Sequence, residues 1–186
     1  MAITTNDLKN GMTLDLAEGL FSVVDFQHVK PGKGGAFVRT TLRNARTGQV
    51  VERTFRAAER VEQAVIDKRE MSYLYKEGDD LVFMDNGSYE QMHVSPKSLG
   101  PAAGYLVENS TAILQLYKDE IVGVDLPASV ELAVANTEPG IQGDRVSGAR
   151  KPATLETGKI VQVPLFVNPG DRIKVDTRSG EYLTRA

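Results

Sequence analysis

A chain of 186 residues with 41% hydrophobic residues and no tryptophan has material for two or three small domains, not for one large enzyme core around a deep pocket. The absence of cysteine excludes disulfides and thiolate metal sites, and no apolar run reaches the roughly 18 residues of a membrane-spanning helix. The net charge of −3 is uneven: residues 1–64 carry +2, residues 65–126 carry five basic against eleven acidic residues, and residues 127–186 carry +1.

The start, Met1 to Asp7, has neither the basic opening nor the long apolar stretch of a secretory signal, so the cytoplasm is the expected compartment. Phe21 to Val29 is rich in Val and Phe, and Val38, Thr40 and Leu42 alternate with Arg39, Thr41 and Arg43. That period of two predicts a strand with one buried and one cationic face. Lys30-Pro31-Gly32-Lys33-Gly34-Gly35 between them reads as a hairpin loop, and a turn at Asn44–Gly48 leads to a further strand over Gln49–Phe55. Residues 1–64 therefore read as a small, strongly bent barrel or half-barrel. Within 30–60, eight basic residues face only Glu52 and Glu59, a local +6. A pI near 5.5 does not exclude a nucleic-acid-binding patch of this kind, and a merely solvated basic face is the competing reading.

The second third predicts a meander: Met71–Tyr75, a turn at Gly78-Asp79-Asp80, Leu81–Asp85, a hairpin at Asn86-Gly87 and a strand over Tyr89–Met92. Residues 96–106 hold a short helix or a crossover, and Ala112–Tyr117 and Ile121–Leu126 flank the turn Lys118-Asp119-Glu120. Five strands with such a crossover point to an oligonucleotide-binding-type (OB) barrel. In the last third, Val130, Leu132 and Val134 predict a half-buried strand. A long polar stretch from Asn136 to Thr157 reads as a loop, followed by strands over Ile160–Phe166, Arg172–Asp176 and Glu181–Leu183.

Catalytic chemistry is hard to find in this pattern. His28 and His93 are isolated near strand ends, so no metal site and no cofactor is expected. Asp79-Asp80 and Asp119-Glu120 lie in hairpin turns, where acidic residues have local hydrogen-bonding roles. Pro31-Gly-Lys-Gly-Gly lacks the spacing and the following helix of a phosphate-binding loop. A binding protein is the expected class, not an enzyme.

Two segments carry a resemblance. Val29-Lys30-Pro31-Gly32-Lys33-Gly34-Gly35-Ala36-Phe37 is similar to the tip loop of the elongation factor P family, and Lys151-Pro152-Ala153-Thr154-Leu155-Glu156-Thr157-Gly158 through Val163-Pro164 to Gly170 is similar to its C-terminal signature. The similarity extends over essentially the whole chain, including Val175 to Tyr182.

The resemblance implies an all-β protein of three small barrels in an L-shaped, tRNA-like arrangement. An N-terminal KOW/SH3-like barrel (1–64) would precede two OB barrels (65–126 and 127–186). It implies a translation factor, a monomer, that binds the 70S ribosome between the peptidyl and exit sites and relieves stalling at consecutive prolines. Lys33, with Pro31, Gly32, Gly34 and Gly35, would meet the acceptor end of the peptidyl-tRNA, and an enzyme could extend Lys33 covalently. Arg39 and Arg43 would add phosphate contacts. Gly143, Asp144 and Arg145 would approach the exit-site mRNA codon, with Tyr182 and Arg185 against tRNA or ribosomal RNA. A paralogous branch acting on other stalling contexts, or a general OB-type RNA-binding protein, is the alternative expectation.

Overall fold

The computed structural model describes residues 1–140 and 148–186, among which sixteen strands form three sheets. The backbone gathers into two compact units: Met1–Lys68 with Gln115–Gly123, and Arg69–Leu114 with Val124–Ala186.

The first unit holds a six-stranded sheet of β1 (Ala2–Thr4), β2 (Thr13–Leu16), β3 (Gly19–Val29), β4 (Phe37–Asn44), β5 (Val50–Arg56) and β6 (Arg60–Ala64), in the order β1-β6-β2-β3-β4-β5. The long β3–β4 hairpin is in antiparallel register from Phe21 opposite Asn44 to Val29 opposite Phe37. A bulge between Val23 and Asp25 adds local twist to it. The two-residue period does what the sequence predicts: Val38, Thr40 and Leu42 are buried, while Arg39 and Arg43 are exposed. Val38 and Leu42 join Leu8, Leu14, Phe21, Val23, Phe55 and Val61 in the core. Each such buried aliphatic side chain contributes about 1.5–3 kcal/mol. Thr40 sits among them because its hydroxyl donates to the Arg53 carbonyl at 2.7 Å.

The next sheet runs β11-β10-β7-β8-β9, from β7 (Asp67–Glu77), β8 (Asp80–Asp85), β9 (Gln91–Val94), β10 (Thr111–Tyr117) and β11 (Glu120–Asp125). The crossover from β9 to β10 carries a short helix, Pro96–Leu99, and a 3-10 turn, Gly100–Tyr105. The third sheet runs β14-β13-β12-β15-β16, from β12 (Ser129–Thr137), β13 (Arg150–Leu155), β14 (Ile160–Pro164), β15 (Arg172–Asp176) and β16 (Tyr182–Arg185). Its core comprises Leu132, Val134, Ala153, Leu155, Val161, Val163, Val167, Ile173, Val175 and one residue from the crossover, Tyr105. The Thr157 hydroxyl donates to the Gly104 carbonyl at 2.6 Å, and the Lys159 ammonium lies 4.6 Å from the centroid of the Tyr105 ring.

Two sequence expectations need correction. The polar stretch from Asn136 to Thr157 is not one loop: β12 extends to Thr137, and Arg150–Leu155 is a full strand between β12 and β14. Its inward positions are Lys151, Ala153 and Leu155, so the apolar period is masked by a small residue and a cation. Lys151 is buried because its ammonium donates to the Glu138 carbonyl at 2.5 Å.

The second correction concerns the β8–β9 turn, which includes Asn86-Gly87 but is not a two-residue hairpin: it runs over residues 86–89. Oδ1 of Asp85 accepts hydrogen bonds from Gly87 N at 2.7 Å and Ser88 N at 3.0 Å. Tyr89 N donates to the Asp85 carbonyl at 2.8 Å, and Tyr89 takes the left-handed φ of +62°. Tyr89 is therefore a turn residue and β9 starts at Gln91.

The same turn occurs in the other two sheets. Asn44 accepts from Arg46 N and Thr47 N, and Asp176 from Arg178 N and Ser179 N. The residue four positions after the Asn or Asp is then Gly48 at φ +72° or Gly180 at φ +74°.

Candidate nucleic-acid interface

The β3–β4 hairpin projects the loop from Lys30 to Gly35, and all six residues are exposed. Of its glycines, Gly34 takes a φ of +109°, a region side-chain-bearing residues avoid. A Cβ added at Gly32 or Gly35 would meet nothing within 4 Å, so those two leave open space beside Lys33. The result is a flexible cation at an unobstructed tip.

Below the tip, Arg39 and Arg43 lie on the outward face of β4. Their cross-strand neighbours are Gln27 and Thr54 for Arg39, and Ser22 and Val50 for Arg43, none of them acidic. Among the described residues, neither arginine forms an ion pair. Arg56, opposite Phe37 and exposed, shares this face. Arg56 is one of the eight basic residues within 30–60, and pairing parity through the Asn44 turn is the sequence signal that places it on this face. Arg53 points the other way and is spent locally: it bonds Glu18 at 2.9 Å, lowering that carboxyl below its usual range, and lies 5.2 Å from the Phe55 ring centroid.

Of the remaining candidates, Tyr182 and Arg185 belong to the third sheet. Tyr182 packs partly against the third core, and the Arg185 guanidinium lies 3.3 Å from Oδ1 of Asp171, on the edge strand β16. Gly143, Asp144 and Arg145 lie outside the described residues. His28 stacks edge-on with Phe26 at 5.6 Å, and His93 lies 3.6 Å from Glu77. Among the described residues no group of three His, Asp or Glu side chains is placed to hold a metal ion. An open cleft of about 550 Å³ in the first unit is lined by Lys9, Asn10, Thr13, Ser22 and Gln63 among others, with no histidine or carboxylate.

Comparison with known proteins accounts for nearly the whole chain. Residues 4–61 match the profile of the elongation factor P KOW-like domain, residues 66–124 that of the elongation factor P OB domain, and residues 130–185 that of the elongation factor P C-terminal region. The chain belongs to the elongation factor P family. It is 59% identical over 182 residues to elongation factor P of Parafrankia sp. (strain EAN1pec), covering 98% of this chain and 97% of that one. It is 58% identical over 183 residues to elongation factor P of Acidothermus cellulolyticus, covering 98% of each.

Among solved structures, the fold is similar to eukaryotic translation initiation factor 5A from Methanococcus jannaschii (TM-score 0.50, 23% identity, 68% of this chain and 92% of that one). It is also similar to an initiation factor 5A family protein from Naegleria fowleri (TM-score 0.53, 15% identity, 68% and 98%). The chain is thus an all-β translation elongation factor of KOW-like and OB domains, and its family implies the ribosome as partner. Among the described residues no helix is long and apolar enough to cross a membrane.

Proposed function

We propose that this factor binds the ribosome between the peptidyl and exit sites, holds the acceptor end of peptidyl-tRNA in a reactive pose and so relieves stalling at consecutive prolines. The observation that carries the reading is Lys33 exposed between glycines at the tip of the β3–β4 hairpin, with two arginines on the outward face behind it that form no ion pair among the described residues. Proline's ring fixes φ and restricts its approach as a reactant, and a misplaced reactant loses rate through orientation. A flexible cation at an open tip suits contact with the tRNA phosphate-sugar backbone, and Arg39 and Arg43 suit phosphates further along it. The contribution is positioning; no acid or base is invoked.

In this reading the functional domains are 1–64, 65–126 and 127–186, and the protein works as a cytoplasmic monomer. Gly143, Asp144 and Arg145 approach the exit-site codon, and Tyr182 and Arg185 lie beside RNA. An enzyme extends Lys33 covalently, which the intact mass of the protein from its native cell would reveal. The deciding experiment is Lys33→Ala. It should leave stability within about 0.5 kcal/mol of wild type, because the side chain is exposed. It should also abolish rescue of a consecutive-proline reporter in a reconstituted translation system. Rescue at the wild-type rate would remove Lys33 from the mechanism.

A further inference from the structure

Three hairpins use one turn: an Asn or Asp at the start accepts two backbone hydrogen bonds, a Ser or Thr follows three residues on, and the next residue is left-handed. Two of the three left-handed residues are glycines, Gly48 and Gly180, as the backbone favours. The third is Tyr89, a bulky residue in a conformation that strains any side chain.

The hydrogen bonds that close the turn on Asp85 hold Tyr89 in this conformation, but among the described residues its side chain forms no hydrogen bond or ring contact that would explain a tyrosine there. Tyr89 is 73% exposed, and the hydrogen bond it makes is the backbone one shared by all three turns. Residues held in such conformations by their surroundings cluster at binding and switch sites. A tyrosine presents a large, rigid, amphipathic ring at low entropy cost, which is why such residues anchor protein interfaces.

The surroundings select the partner. Residues 65–126 carry a net −6, and exposed Glu70 and Glu90 flank the turn. The Oε1 atom of Glu70 accepts from the Asn86 amide at 3.4 Å, and Glu90 immediately follows Tyr89. Arg69 stands near Asp85 and offsets part of this charge. A phosphate backbone would be repelled here, whereas an arginine- or lysine-rich protein surface would be attracted and could place a guanidinium on the tyrosine ring.

We propose that Tyr89 is the aromatic anchor of a docking surface for a basic protein of the ribosome, flanked by Glu70 and Glu90. The proposal rests on the ribosome-binding reading above and concerns the β8–β9 turn, not the β3–β4 hairpin that carries Lys33.

The test joins two readouts that strain and docking move in opposite directions. Tyr89→Gly should raise the melting temperature by roughly 2–4 °C while weakening binding to purified ribosomes at least tenfold. Glu90→Lys should also weaken binding. A p-benzoylphenylalanine side chain placed at position 89 should crosslink, on purified ribosomes, to a peptide of a basic ribosomal protein. Wild-type affinity in Tyr89→Gly, tighter binding in Glu90→Lys, a crosslink to RNA or no crosslink would each overturn the proposal while leaving the Lys33 reading intact. Failure of the wild-type protein to bind ribosomes would overturn both.

Discussion

The Tyr117 hydroxyl donates a 2.9 Å hydrogen bond to Oδ2 of Asp15, a residue 102 positions earlier. The Lys118 ammonium lies 3.4 Å from the same oxygen and 5.0 Å from the centroid of the Tyr117 ring. Lys118 and Asp119 form a tight reversal with φ of +50° and +63°, conformations that hairpins normally give to Asn or Gly. The contacts to Asp15 hold that strained turn within the first unit.

This clamp should be sensitive to alkali. The bond to Asp15 raises the Tyr117 hydroxyl above its ordinary value, and Lys118 is raised by its bond to Tyr117 and by Asp15. A raised folded value means the contribution is complete below the ordinary tyrosine value near pH 10. It is lost as pH rises through the folded value. Tyr117→Phe should therefore melt below wild type at pH 7, with the two curves converging above about pH 10. Parallel melting curves across that range would show that the hydroxyl carries no such linkage.

At the acid end, Asp176 is held below the usual carboxylate range by hydrogen bonds from Ser179 N and Arg178 N. Its contribution is complete above the unfolded value near pH 4 and is lost as pH falls through the lower folded value. Asn44 shows that an uncharged amide oxygen can make the same turn. Asp176→Asn should keep the fold, melt slightly below wild type at pH 7 and lose less stability on acidification. Equal slopes in melting temperature against pH between 5 and 2 would count against this account.

Arg39→Gln with Arg43→Gln tests the cationic face behind the tip. If both arginines meet phosphates, the double variant should bind ribosomes more weakly at low salt. The slope of log affinity on log salt should also become shallower by roughly 1.5–2. Thermal stability should stay within about 0.5 kcal/mol of wild type, since neither side chain is buried or ion-paired among the described residues. An unchanged slope would mean that these arginines face only solvent.

The parts of this architecture that were legible in the sequence are those where one local rule dominates. The Val38-Thr40-Leu42 alternation survives because one face of β4 is buried and the other is wet. Lys33 stands out because proline and glycines punctuate its loop. β13 was hidden because Lys151 and Ala153 fill inward positions that usually carry branched aliphatics, and the lysine is tolerable there only through the Glu138 carbonyl, which no local pattern reveals. Asn86-Gly87 misled because the Asp85 carboxylate captures two backbone amides and moves the left-handed position to Tyr89. The Asp15–Tyr117 bond joins residues too far apart for any window of sequence to pair.

Tyr105 gives the third sheet a dependence on chain that precedes it. The ring is only 5% exposed and belongs to the core formed by residues 130–175, yet it arrives from the crossover after β9. A Cβ at Gly180 would stand 3.1 Å from its hydroxyl, so the β15–β16 turn is shaped around it. A gene fragment starting at Pro127 would encode every strand of that sheet and still lack this ring, a loss on the order of 3–5 kcal/mol. A segment of about 60 residues has little stability to spare. Dissection by truncation would then yield an unfolded piece and a false impression of an inactive one. A workable C-terminal fragment has to begin upstream of Gly100.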